Sequence, residues 1–142
     1  MASFENGCLK MVNWVTDEFV ISQVRDYALD ITEINLDYCL IITDRAILEI
    51  PRHCPHLMKI NLHKCQHVTD DVIIELVKGC PNLVDIGLWD CEDLTDLALH
   101  HIAENCEELT NIDIDGCIHF TKAAILLLRE RHPSCKVWGE SQ

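Results

Sequence analysis

The densest group of side chains able to do chemistry is His63-Lys64-Cys65-Gln66-His67, whose imidazoles and thiol are zinc-ligand types. Zinc needs three or four donors that converge. Cys65, however, belongs to a series (Cys39, Cys65, Cys91, Cys117) that recurs every 26 residues, and Cys54, Cys80 and Cys106 recur at the same period. Cysteines repeated in register occupy one environment in successive copies of one unit, and a small, weakly polar residue suits a buried one. Cys65 should therefore point inward and His63 outward. The ligands diverge, and no metal is expected. The same register argues for free thiols rather than disulfides. Only Cys8 and Cys135 stand outside the two series, as the expected exposed thiols, with no neighbour that would activate them.

Other candidates fail as catalysts. Thr43-Asp44, Thr69-Asp70 and Thr95-Asp96 offer hydroxyls beside carboxylates, but their repetition marks them as helix starts, with Thr as N-cap and Asp on the first turn. The four serines lie outside any nucleophile-elbow context, and the five glycines are too scattered for a phosphate-cradling loop. Asp113 and Asp115 protrude from one strand and could approach Asp90 as a cation site, though a solvated acidic patch is the simpler expectation. His53, His100 and His101 fall near helix ends and read as surface residues. The reading is of a protein that is not an enzyme and carries no cofactor.

Composition narrows the partners. Of 142 residues, 11 are Lys or Arg and 24 are Asp or Glu, a net charge of −13, with a pI near 4.8. Such a surface repels nucleic acid and anionic membranes. Hydrophobic residues make up 49%, enough to build the core of one domain. The longest apolar run, from Ala123 to Leu128, falls far short of the roughly 20 residues of a spanning helix, so no membrane insertion is expected. The opening Met1-Ala2-Ser3-Phe4-Glu5-Asn6 resembles neither a secretory signal nor a transit peptide. A cytoplasmic or nuclear home is expected, with a mitochondrial one as the alternative.

The elements that hold these residues follow from the repeat. Ile34-Asn35-Leu36-Asp37-Tyr38-Cys39 returns as Ile60-Asn61-Leu62-His63-Lys64-Cys65, as Ile86-Gly87-Leu88-Trp89-Asp90-Cys91 and as Ile112-Asp113-Ile114-Asp115-Gly116-Cys117. Ile60 and Leu62 alternate with Asn61 and His63, the period of a half-buried strand. Val72, Leu76 and Val77 then fall at helical spacing, and Lys78, Gly79 and Pro81 mark the helix end. One strand and one helix cannot bury themselves alone, so the units must stack. The expected fold is α/β: a right-handed horseshoe-shaped solenoid with parallel strands on the concave face and helices on the convex face.

The pattern Cys-x-x-(Leu/Val/Ile)-Thr-Asp, a helical stretch, then Cys-Pro-x-Leu resembles the cysteine-containing leucine-rich repeat, from residue 34 to residue 137. That repeat is typical of F-box/LRR ubiquitin-ligase subunits and of the F-box-less antagonist of mitotic exit network protein. The resemblance implies a protein-binding scaffold in ubiquitin-linked protein turnover or cell-cycle control. The alternative is a coupling or assembly factor of the mitochondrial ATP synthase subunit s (factor B) type. The last unit departs from the pattern, with Lys122 for Asp and His132 for Cys, as suits a terminal repeat.

The expected organisation is a capping segment or degenerate repeat over 1–33, four 26-residue repeats over 34–137, and a C-terminal cap at 138–142. In the leading segment, Trp14, Phe19, Val20, Val24 and Tyr27 accompany a helix start at Thr16-Asp17. At the far end Trp138 lies one period after Ile112. The leading segment is already used as a cap, so recruitment of the adaptor Skp1 through an F-box is not expected. Asn35, Asp37, Gly87 and Gly116 share the outward strand positions with the residues expected to bind a partner: Tyr38, Asn61, His63, Lys64, Trp89, Asp90, Asp113 and Asp115. The surrounding acids predict a protein partner with a basic surface.

Overall fold

The computed structural model describes residues 2–11 and 14–139. The chain opens with β1 (Ser3–Glu5), β2 (Cys8–Lys10) and α1 (Asp17–Tyr27), a short 3-10 turn following at Ala28–Asp30. Strand and helix then alternate as β3 (Glu33–Asn35), α2 (Asp44–His53), β4 (Lys59–Asn61), α3 (Asp70–Gly79), β5 (Asp85–Gly87), α4 (Asp96–Asn105), β6 (Asn111–Asp113), α5 (Lys122–Arg131) and β7 (Lys136–Trp138). Among the described residues the strands form one seven-stranded sheet in sequence order. Consecutive helices pack side by side as a second layer. This is an α/β repeat solenoid.

Alternation decides the layers. Ile34, Ile60, Ile86 and Ile112 lie opposite one another in register, and with Leu36, Leu62, Leu88 and Ile114 they are buried against the helices. Each such side chain gains about 1.5–3 kcal/mol on burial. Asn35, Asn61 and Asp113 face the other way and stay half-exposed. The repeating cysteines complete the core and also satisfy it. The Sγ of Cys65, Cys91 and Cys117 donates to the carbonyl of Leu36, Leu62 and Leu88, at 3.2, 3.1 and 3.1 Å. A thiol fills the space of a small hydrophobe and supplies a donor to the preceding unit. None of the nine cysteines, all of them among the described residues, is in a disulfide.

Two expectations need correction. The sheet is not wholly parallel: β1 runs antiparallel to β2 through a tight turn at Asn6-Gly7, while β2 to β7 are parallel. Asn-Gly is a strong local hairpin signal, because both residues accept the positive φ that a two-residue turn requires. The last strand is also one residue out of the 26-residue period, because Val137, not Trp138, lies opposite Ile112. In earlier units two successive N–H groups share one carbonyl, as Met58 and Lys59 share that of Thr32. In the last unit Lys136 alone reaches Thr110, so the extra residue is missing. Trp138 therefore leaves the core row, and its Nε1 donates to Asn111 Oδ1 at 2.7 Å on the open face. Residues 140–142 of the expected C-terminal cap lie outside the described residues.

The Thr-Asp pairs do more than start helices. Thr16, Thr43, Thr95 and Thr121 accept a bond from their own helix at 3.2–3.3 Å, whereas Thr69 makes no such bond. Each Asp accepts from the Thr of the following unit: Asp17 from Thr43, Asp44 from Thr69, Asp70 from Thr95 and Asp96 from Thr121, at 2.5–2.9 Å. These charge-assisted bonds are shorter than the caps and tie neighbouring units together. Lys122 occupies the Asp place at the last rung. His132 stands in the Cys54/Cys80/Cys106 series, in which the Cys80 thiol donates to the carbonyl of Cys54 at 3.5 Å. Its own Nε2 lies 2.8 Å from the carbonyl of Ala103 in the preceding unit.

Candidate functional site

The residues expected to bind a partner sit at the C-terminal ends of the strands, on the face turned away from the helices. They are not all strand residues. Each strand from β3 to β6 is only three residues long, and a β-turn follows it, closed by the N–H of Cys39, Cys65, Cys91 or Cys117 bonding to the carbonyl three residues before. Trp89, Asp37, His63 and Asp115 are the second residues of these turns. Tyr38, Lys64, Asp90 and Gly116 are the third, with φ of 60, 58, 56 and 74°. A left-handed third residue is the signature of a type II turn and favours glycine. Only the fourth unit places glycine there; the first three carry side chains at some conformational cost. The N–H groups of Tyr38, Lys64 and Asp90 bond to the carbonyls of His63, Trp89 and Asp115, each at 2.8 Å, which holds the turns in register.

The side chains raised this way meet. Trp89 is half-buried, and its ring takes Tyr38 and His63 edge-on with centroids 6.1 Å away in each case. Lys64 Nζ lies 4.8 Å from the Trp89 centroid, 5.6 Å from that of Tyr38 and 3.7 Å from Asp90 Oδ2. His63 lies across β5, where Gly87 leaves room for it. A Cβ at Gly87 would fall 2.3 Å from His63 Nε2 and 2.5 Å from Asn61 Oδ1. The imidazole thereby spans two carboxylates, with Nδ1 at 3.5 Å from Asp37 and Nε2 at 3.8 Å from Asp113. Asp37 also accepts from the His63 backbone N–H, and Asp113 from that of Asp115.

The expected residues thus separate. Tyr38, His63, Lys64, Trp89 and Asp90 form one connected cluster, which Asp113 and Asn61 border through His63 and Gly87. Asp115 is exposed in the next unit. Asp113 turns toward His63 and Asp90 toward Lys64, so the acids do not gather as a cation site. Among the described residues no three His, Cys, Asp or Glu side chains converge to hold a metal. Cys65 is buried while His63 lies on the open face, so the His63–His67 cluster is divided between two sides of the sheet.

Burial pushes the core thiols up, to about 11 for Cys39 and about 12 for Cys65 and Cys117. Such thiols stay protonated and are poor nucleophiles. Cys8 and Cys135 are only half-buried, and their values also lie above the ordinary one.

Sequence reasoning missed a row. Glu33, Lys59, Asp85 and Asn111 stand two residues before Asn35, Asn61, Gly87 and Asp113 on the open face, and extending the period-2 alternation backward would have found them. Asn111 there links Asp85 to Trp138 by side-chain hydrogen bonds. On the helix side, a groove of about 400 Å³ between α4 and α5 is lined mainly by alkyl groups such as Leu97, Ala124 and Leu127. Among the described residues no helix is long and apolar enough to cross a membrane.

No family model matches the chain, and no curated protein matches it by sequence. Among solved structures, the chain is similar to one in the crystal structure of the yeast Rad7–Elc1 complex, with a TM-score of 0.78 and 23% identity. The match covers 94% of this chain and 32% of that one, so the present chain spans about a third of its neighbour's length. The likeness shows a leucine-rich-repeat-like fold.

Proposed function

We propose that this protein is a non-catalytic scaffold that binds a protein partner on the open face of its sheet, the concave side of a leucine-rich-repeat arc. The observation that carries the reading is the Tyr38–His63–Lys64–Trp89 cluster. A uniform Ile/Leu/Cys frame supports side chains that differ from unit to unit, and three of them stand on left-handed turn positions where glycine would be unstrained. Trp and Tyr are enriched among interface hot spots. The acids about them favour a partner with a basic surface, whose association weakens as salt rises. The solved neighbour comes from a protein–protein complex. By the resemblance of its repeats we place the protein in ubiquitin-linked turnover or cell-cycle control, in the cytoplasm or nucleus.

The test is affinity purification from the native cell, identification of the bound protein by mass spectrometry, and titration of that protein against wild type and Trp89→Ala. The substitution is expected to cost roughly 2 kcal/mol or more in binding while the melting temperature stays nearly constant. Unaltered affinity for a verified partner would place the site elsewhere.

A further inference from the structure

We propose that the Tyr38–Trp89 pair is a seat for a lysine or arginine side chain of the partner, and that Lys64 occupies this seat in the free protein and leaves it on binding. The inference rests on the open-face reading and specifies its chemistry. The Lys64 ammonium marks where a cation belongs: within 6 Å of both ring centroids and 3.7 Å from the Asp90 carboxylate. The negative ring faces and the carboxylate together attract a positive charge. The occupant is replaceable. Lys64 is 38% exposed and its stem is long and flexible, so it can turn into water without burying anything.

A cavity of about 230 Å³ adjoins the seat, lined by Lys64, Gln66, Asp90, Glu92 and Asp93. Three carboxylates to one ammonium select against an incoming anion. A partner carboxylate drawn to Lys64 would meet Asp90, Glu92 and Asp93 first, whereas an incoming cation gains all three. Exchanging one cation for another leaves the ring faces and Asp90 satisfied in the complex, so binding has only to displace the contacts Lys64 itself makes. While Lys64 is seated, the site is only partly competent, and apparent affinity falls by that fraction. Lys64 thus acts as a built-in competitor.

That role gives a signature opposite to an ordinary contact residue: removing Lys64 should strengthen binding. The probe is a capped hexalysine peptide, titrated by calorimetry against every variant, with capped hexaglutamate as its counterpart; in the chains that keep Trp89, its indole N–H resonance locates the contact. Lys64→Gly suits the left-handed backbone, as Gly116 shows at the equivalent turn, and Lys64→Gln keeps the stem without the charge. Lys59→Ala removes the same charge from β4, outside the seat.

Both Lys64 variants should bind hexalysine about 3- to 10-fold more tightly than wild type. Lys59→Ala should change it less than about twofold, as a purely long-range effect of one charge does in salt. Trp89→Ala should weaken it. Weaker binding by the Lys64 variants, a gain no larger than that of Lys59→Ala, or hexaglutamate binding that depends on Lys64 would each overturn the proposal. Those results would leave the open-face reading standing, because that reading fails only if Trp89→Ala spares the verified partner.

Discussion

At the scale of single residues, the repeating cysteine is the most constrained choice in the chain. It must be small enough for the space beneath the β-turn and still offer a proton to the carbonyl of the preceding unit, as Cys91 does to Leu62. Burial raises the thiols of Cys54, Cys65, Cys80, Cys106 and Cys117 to about 12 from an ordinary 9.0. The consequence for stability has a definite sign. The folded chain keeps these protons where the unfolded chain loses them, so the stabilisation is intact below pH 9 and declines above it. Each thiol withdraws about 1.4 kcal/mol per pH unit in that window. Under reducing conditions the urea midpoint should hold near pH 8 and drop steeply by pH 10. A midpoint unchanged across that range would mean the thiols are not buried in the native state. Native Cys39, Cys65, Cys91 and Cys117 should also resist thiol reagents at pH 8 that modify them in denaturant.

At the scale of elements, the strands are too short to define the stack alone, and the helix starts lock it. Asp70 receives both the N–H and the hydroxyl of Thr95, at 2.9 and 2.5 Å, and so joins α3 to α4. Asp70→Ala should destabilise the fold by about 1–2 kcal/mol by leaving both donors without their charged acceptor. Its exposed neighbour Asp71, on the same helical turn, is the comparison; Asp71→Ala should stay within about 0.5 kcal/mol. Equal effects in denaturant titrations would show that helix-start charge matters and the inter-unit bond does not. The open-face turns behave differently, because their side chains are not needed to stack the units. This is why Trp89→Ala should alter binding without altering melting.

At the scale of the whole molecule, stability is the sum of neighbouring interfaces. The leading segment supplies such an interface: Leu9 lies opposite Ile34, Val20 and Val24 are buried, and Phe4 stacks on Tyr27 at 4.2 Å. Trp14 contributes nothing to it by burial, being 70% exposed. We expect removal of residues 1–33 to bare Ile34 and Leu36 and to produce aggregation or loss of cooperative unfolding. A truncated chain that stayed monomeric with an unchanged melting curve would show that the segment is not a cap. The two ends also differ in kind, since α5 leaves Leu126 and Leu127 exposed while buried Leu128 anchors it.

The alternation of strand and helix, the inward Ile/Leu/Cys set and the helix-start threonines were all legible in the amino-acid order. Repetition states each environment four times, so an accident in one unit, such as His132 for Cys, does not obscure the rule. What stayed hidden depends on contact between units. Asp70 and Thr95 are far apart along the chain and each has a sufficient local explanation as part of a helix start. Trp138 fell into the wrong row because deletion of one residue reverses which face a strand residue occupies. The meeting of Tyr38 with Trp89 was the least accessible. Their strands are two apart, about 10 Å at sheet spacing, and the gap closes only because both turns throw large rings toward Lys64. The room for His63 across β5 exists only because Gly87 has no side chain. Periodicity assigns a residue to a face, but side-chain size and turn geometry decide which residues on that face touch.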